Sequence, residues 1–169
     1  IESCQGSGDW EKSVKILSDA ALRLEKAGAD FFIICTNTMH KVAPQVEKTV
    51  GIPLLHIADA TVEELKSNCI QKAALLGTKF TMQMNFYKEK LKAAGIEMLL
   101  PDENDRELVN DVIYRELCLG VVSQHSKKEF QRMIALLGDR GAEGVILGCT
   151  EIGLLIRQED SPLPVFDTA

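Results

Sequence analysis

The residues best suited to chemistry stand in two short polar turns. One turn holds Thr36, Asn37 and Thr38, and the other holds Cys149, Thr150 and Glu151. A cysteine thiolate can take up or release a proton near neutral pH, because the ordinary thiol pKa of ~8.5 is close to neutrality. A threonine hydroxyl is too weakly acidic to form an anion there, but it can donate a proton or hold a water molecule. The two turns are therefore the candidate sites for ligand binding and reactivity.

The elements that carry these turns alternate between two kinds of apolar pattern. Short apolar runs at 31–34, 52–56, 73–76, 96–100, 144–147 and 164–166 predict strands. Between them, apolar residues recur every three or four positions, which predicts amphipathic helices. Strands that alternate with helices are typical of an α/β fold with a parallel sheet, and ligands bind at the carboxyl ends of such strands. Both polar turns fall at those ends.

The chain also contains an internal repeat. Residues 28–30 align with 141–143 at an offset of 113, and each triplet combines a glycine, an alanine and an acid. The alignment continues through the following strands and places Thr36 on Cys149 and Asn37 on Thr150. A second pairing aligns residues 52–55 with 163–166 at an offset of 111. The repeat predicts two related halves whose polar turns occupy equivalent positions.

Several roles stay open at this stage. A helix that follows the second turn would lower the pKa of Cys149, which makes it the best candidate for a reactive thiol. Thr78 follows a predicted strand and either faces the cleft or caps a helix. Glu151 either binds a substrate amino group or caps the next helix. We interpret His40 as a residue on a helix surface and give His56 a structural role.

Composition excludes several classes of protein. The 169 residues carry a net charge of -6 and lack the basic face typical of nucleic-acid binding. The longest apolar runs are far shorter than the ~20 residues that span a bilayer, so we expect neither a membrane segment nor a signal peptide. The five cysteines lack the CxxC spacing of a zinc or redox site. We expect free thiols, no bound metal and a cytoplasmic location.

Residues 35–40 and 148–151 resemble the two signature motifs of the aspartate/glutamate racemase superfamily. Residues 55–61, 75–78, 116–120 and 164–169 strengthen the resemblance, which covers almost the whole chain. It is strongest for the L-aspartate/glutamate-specific, broad-specificity members. The resemblance implies two pseudo-symmetric, Rossmann-like α/β halves with the active site between them. We expect residues 1–58 in the first half, 59–160 in the second, and 161–169 returning to the first.

The resemblance also implies an activity and its residues. Such enzymes racemise amino acids without a cofactor, using one catalytic residue from each half, and are commonly homodimers. Typical members carry a cysteine where this chain has Thr36, so we assign Thr36 and Cys149 as the catalytic pair. The expected substrates are amino acids of the L-aspartate and L-glutamate type. The expected binding residues are Gln5, Asn37, Thr38, Thr78, Thr150 and Glu151.

Two departures from the family pattern leave alternatives open. The family's first strand and last helix have no counterpart between Ile1 and Ala169, so we expect an internal fragment of a longer racemase. Because Thr36 replaces the first catalytic cysteine, one alternative is a protein that binds amino acids but catalyses their reaction only weakly. Other reactions of the superfamily are hydantoin racemisation, maleate isomerisation and arylmalonate decarboxylation.

Overall fold

A computed structural model describes residues 2–83 and 85–169, and the side chains of Glu2, Ser3 and Gln5 lie outside that description. The chain divides into two compact units, Ile1–Ile57 and Ala58–Ala169. No helix among the described residues is both long enough and apolar enough to cross a membrane.

The first unit is mainly helical. It contains α1 (Glu2–Ser7), α2 (Trp10–Lys26), a 3-10 helix (Thr38–Val42) and α3 (Ala43–Glu47). Asp9 caps α2 by accepting a hydrogen bond from the Lys12 N–H at 3.0 Å. Phe32, Ile34, Met39, Val46 and Leu54 are among the residues that form its core.

The prediction of a strand buried on both faces at residues 31–34 is wrong. Within the described part of the first unit, strand pairing is limited to one parallel bridge between Phe32 and Leu54. Phe31, Ile33 and Leu55 are 52%, 57% and 53% exposed. Because successive side chains of an extended segment point to opposite sides, one face packs on the helical core and the other faces outward.

The second unit is a helix-covered parallel sheet. Its strands are β1 (Lys72–Gly77), β2 (Glu97–Leu99), β3 (Gly144–Gly148) and β4 (Val165–Asp167), in the order β2-β1-β3-β4. The helices are α4 (Ile57–Ser67), which spans the boundary between the units, then α5 (Lys79–Gln83), α6 (Asn85–Ala93), α7 (Glu103–Arg115) and α8 (Gln124–Asp139). All five residues of β3 are buried. The predicted α/β fold with a parallel sheet is confirmed.

The last segment of the chain belongs to the second unit, which differs from the expected return of residues 161–169 to the first half. Strand β4 pairs with β3 in parallel, with Val145 opposite Val165. The Thr168 hydroxyl donates a hydrogen bond to the Leu147 carbonyl at 2.8 Å and fixes the end of this pairing.

The internal repeat is confirmed by matching hydrogen bonds. In the first unit, Ala29 N–H donates to Leu24 O and Phe32 N–H to Pro53 O, at 3.1 and 3.0 Å. In the second, Ala142 N–H donates to Leu137 O and Val145 N–H to Pro164 O, both at 2.9 Å. These partners are related by the same offsets of 113 and 111 residues that align the sequences. The two units therefore repeat the same helix end and strand pairing.

The helix ends that precede the strands share one geometry. A residue with positive φ follows each helix, which suits glycine because it lacks a Cβ. Gly28 and Gly141 occupy this position in the two copies of the repeat. Cys69 occupies it after α4 with a φ of 57° and is the non-glycine exception among the described residues.

Candidate active site

The Cys149 turn (residues 149–151) leaves the sheet beside the end of β1. Gly77 and Gly148 are opposite each other at the carboxyl ends of β1 and β3. A Cβ atom on Gly148 would lie 2.7 Å from Leu75 Cδ1, and one on Gly77 would lie 3.0 Å from the Gly148 carbonyl oxygen. A side chain at either position would therefore crowd the neighbouring strand, and glycine avoids this at both strand ends.

The side chains of the Cys149 turn converge on one carboxylate. The Cys149 thiol donates a hydrogen bond to Glu151 Oε2 at 2.9 Å, and the Thr150 hydroxyl donates to the same oxygen at 2.9 Å. All three residues are half-buried. Glu151 is the residue before a short 3-10 helix, Ile152–Leu154, yet its side chain makes no capping bond. Of the two roles open for Glu151, capping is therefore not the one that its side chain performs here.

The pKa of Cys149 is raised in the structure, whereas the sequence analysis expects it to be lowered. Burial raises the pKa of the Cys149 thiol, and the hydrogen bond to the Glu151 carboxylate raises it further. Burial also disfavours the charged form of Glu151, but hydrogen bonds from Cys149 and Thr150 outweigh it and lower the Glu151 pKa. The helix expected to favour a thiolate is a 3-10 helix of three residues. The pair therefore rests as a neutral thiol beside a carboxylate.

Thr78 lies next to the Cys149 turn, but its hydroxyl oxygen binds a backbone N–H group. It follows Gly77, so it stands at the same edge of the sheet as Cys149. Its hydroxyl oxygen accepts a hydrogen bond from Thr81 N–H at 3.2 Å and lies 3.2 Å from the Thr81 hydroxyl. This arrangement caps α5, the second of the two roles that the sequence leaves open for Thr78.

The Thr36 turn (residues 36–38) begins with a tight backbone reversal. Thr36 N–H donates to the Ile34 carbonyl at 2.8 Å. Thr36 is half-buried, whereas the preceding Cys35 is exposed. Asn37 and Thr38 are buried, and Thr38 begins the 3-10 helix that follows. The side chain of Gln5, the remaining predicted binding residue, lies outside the described residues.

His40 supports the Thr36 turn, and its prediction as a surface residue is wrong. It is only 1% exposed. Nδ1 lies 2.9 Å from the Thr36 carbonyl oxygen, while Nε2 accepts a hydrogen bond from Ile57 N–H at 3.2 Å. Because Nε2 is an acceptor, the proton of the neutral ring sits on Nδ1 and is donated to Thr36. His56 packs against this ring with a centroid distance of 4.4 Å.

The contact between His40 and Thr36 could have been predicted from their spacing in the sequence. His40 is at the fourth position after Thr36, a spacing of about one helical turn. The flanking Met39 and Val42 are apolar and are buried in the same core. Within the described residues, no group of three or more His, Cys, Asp or Glu side chains is placed to hold a metal ion.

Comparison with known proteins identifies the family. The Asp/Glu/hydantoin racemase family model matches residues 2–169. The chain belongs to this family. It is 28% identical over 161 residues to the broad-specificity amino-acid racemase RacX of Bacillus subtilis, covering 95% of this chain and 69% of RacX.

Solved structures support the same assignment. A candidate Asp/Glu racemase from Yersinia pestis is 50% identical with a TM-score of 0.92, covering 99% of this chain and 74% of that one. An aspartate racemase homologue from Pyrococcus horikoshii OT3 is 39% identical with a TM-score of 0.86, covering 97% and 72%. The fold of this Asp/Glu racemase family member therefore matches that of its relatives.

The contacts of Glu151 predict the behaviour of the Cys149 thiol. Replacing Glu151→Gln removes the negative charge that opposes thiolate formation, so the Cys149 pKa should fall. It should stay above the ordinary value because burial remains. Alkylation of Cys149 by iodoacetamide, followed across pH by peptide mass spectrometry, should begin at lower pH in the variant. Glu159→Gln, the same change at an exposed site, is the control; equal profiles for wild type and Glu151→Gln would contradict the assignment.

The contacts of His40 predict a stabilising role. His40→Leu removes the bonds to the Thr36 carbonyl and the Ile57 N–H, each worth ~0.5–1.5 kcal/mol. The free energy of unfolding should fall by about 1–3 kcal/mol in urea titrations. His40→Gln places an amide oxygen near the position of Nε2 and should recover part of this loss. A His40→Leu variant as stable as the wild type would show that these bonds do not hold the turn.

Proposed function

We propose that this chain acts as a cofactor-independent amino-acid racemase on L-aspartate- and L-glutamate-like substrates. Membership of the Asp/Glu/hydantoin racemase family supports amino-acid racemase activity. The relatives named as racemases, including RacX, support the same class of reaction. The observation that carries the proposal is the 2.9 Å hydrogen bond from the Cys149 thiol to Glu151 at the end of β3.

The proposed reaction begins with activation of Cys149. The thiol proton moves to Glu151, leaving a thiolate and a carboxylic acid. The ligand-free pKa values oppose this transfer, but the positive charge of a substrate ammonium group would favour the thiolate. The thiolate then removes the substrate Cα proton, and the electron pair of the C–H bond moves into the α-carboxylate. The Cys149–Glu151 pair thus acts as a two-residue base.

Reprotonation occurs on the opposite face of the substrate, on the Thr36 side. A water molecule held by the Thr36 hydroxyl gives a proton to Cα and becomes hydroxide. The carboxylic acid of Glu151 returns its proton to solvent, which balances the charge. We propose that backbone N–H groups of Asn37, Thr38 and Thr150 bind the α-carboxylate, since such donors stabilise the charge that develops there. Gln5 stays a proposed contact for the substrate side chain.

The proposed site treats the two enantiomers differently. Cys149 can form an anion that removes a proton, whereas Thr36 cannot do so at neutral pH. The enantiomer whose Cα proton faces Cys149 should therefore exchange that proton with solvent faster than the other, and the resemblance to the family implies that this is the L form. Inversion itself must have the same kcat/KM in both directions, because the two enantiomers have equal free energy. The same threonine favours a second candidate, an amino-acid-binding protein with little catalysis. That protein would be stabilised by its ligand without exchanging the Cα proton.

Exchange of the Cα proton with solvent tests the proposal. The protein should exchange this proton of L-aspartate or L-glutamate in D2O, as followed by NMR. Cys149→Ser should lower the rate at least ~10²-fold, since it removes the base. Cys69→Ser, the same change at an exposed cysteine, should keep the rate within about twofold. Absence of exchange from both amino acids in a folded sample would sink the racemase proposal, and ligand-induced stabilisation alone would then favour the binding protein.

A further inference from the structure

A cavity opens beside the edge of the sheet in the second unit. It has a volume of about 430 Å³, within the range of small-molecule sites. Strand β2 is at the edge of the sheet and pairs with only the first residues of β1, Lys72–Ala74. The cavity is lined by residues from α5, α6, the end of β2, α7 and the segment after α8: Met82, Gln83, Asn85, Lys88, Met98, Leu99, Leu100, Arg106 and Arg140. None of them belongs to the Cys149 turn.

The charged residues of this lining are all basic. Lys88, Arg106 and Arg140 line the cavity without an acidic residue, although the whole chain carries a net charge of -6. Among the described residues, no carboxylate oxygen lies within 4.0 Å of their side-chain nitrogens, so these charges have no partner in an ion pair. By contrast, Arg132 is bound by both Asp105 and Glu129. The cavity therefore concentrates positive charge.

Backbone contacts hold the two arginines in place. Arg140 Nη1 donates to the Leu100 carbonyl at 2.8 Å, and Arg106 Nε donates to the Asp102 carbonyl at 3.4 Å. Each guanidinium has five N–H donors in a planar fork, so one such bond leaves most of them for other acceptors. That fork matches the oxygens of a phosphate or a carboxylate.

The rest of the lining suits an apolar group. Met98, Leu99 and Leu100 contribute aliphatic and thioether surface, whereas Met82 is only 2% exposed. Methionine adapts readily to the shape of a ligand. Gln83 and Asn85 add amide groups at the same cavity. A free inorganic ion would use only the charges and leave this surface in water.

We propose that this cavity binds a small organic anion in which a phosphate or carboxylate is joined to an apolar portion. The anion contacts Arg106, Arg140 and Lys88, and the apolar portion packs on Met98 and Leu99 near Met82. This binding site is independent of the racemase proposal, because it shares no residue with the Cys149 turn or the Thr36 turn.

Methyl NMR of the labelled methionines tests the site. Phenyl phosphate and benzoate are the probes for the two anion types, and inorganic phosphate is the probe without an apolar portion. Phenyl phosphate or benzoate should shift the Met82 and Met98 methyl signals saturably, and inorganic phosphate should bind at least ~10-fold more weakly than phenyl phosphate. Tighter binding of phenyl phosphate identifies phosphate as the preferred head group, and tighter binding of benzoate identifies carboxylate.

Charge-removing variants decide whether the basic residues carry the binding. Arg106→Gln combined with Arg140→Gln should weaken binding at least ~10-fold, as expected for the loss of charge-assisted hydrogen bonds. Arg115→Gln on the same helix α7, where Arg115 is 78% exposed, is the matched control and should change affinity by less than about twofold. If Arg140→Gln impairs folding, Lys88→Gln with Arg106→Gln replaces it and should also weaken binding.

Three outcomes would overturn the proposal. One is the absence of methyl shifts with either organic anion at concentrations of about 10 mM, a level that detects even weak binding. Another is equal affinity for phenyl phosphate and inorganic phosphate. The third is unchanged affinity in the folded charge-removing variants.

Discussion

The close approach of β1 and β3 at their carboxyl ends controls the position of the Cys149 turn. Gly77 and Gly148 face each other there, and a Cβ on either would meet the neighbouring backbone or Leu75. The next residue along each strand, Thr78 and Cys149, consequently leaves the sheet at the same edge. Thr78 caps α5, while Cys149 is directed to Glu151. Strand packing thus places the start of the Cys149 turn, in which the Cys149 thiol contacts the Glu151 carboxylate.

The repeat shows how one structural plan carries two different polar turns. The same helix end and the same parallel pairing precede Thr36 in the first unit and Cys149 in the second. What differs is the support for each turn. His40 binds the Thr36 carbonyl and orders the backbone, whereas Glu151 binds the Cys149 thiol and controls its ionisation. The two units therefore carry differently supported polar turns at equivalent positions of the repeat.

Local signals predicted much of the fold. Asp9 and Asp102 cap α2 and α7 because a short acidic side chain accepts from the helix N–H groups. The apolar run at 144–147 forms a buried central strand, as expected for a strand whose residues are nearly all apolar. The similar run at 31–34 became a single bridge, because burial on both faces depends on neighbours far along the chain. No local pattern distinguishes these two runs.

The candidate site was less predictable for the same reason. Its two turns could be located from their place after strands, but their electrostatics depend on tertiary contacts. Burial and the hydrogen bond to Glu151 raise the Cys149 pKa. The sequence places Glu151 two residues after Cys149, but it does not show that the carboxylate points to the thiol. His40 is buried because the core surrounds it, whereas the sequence analysis placed it on a helix surface.

The central claim of the proposed function is that the chemical difference between Thr36 and Cys149 makes Cα proton exchange with solvent unequal for the two enantiomers. The most direct test measures Cα proton exchange of D-aspartate in D2O with the wild type, Thr36→Cys and the matched Thr36→Ser. The account predicts slow exchange in the wild type and Thr36→Ser, and a clear gain in Thr36→Cys, because a thiol can supply the missing base. Equal exchange of L- and D-aspartate by the wild type would contradict it.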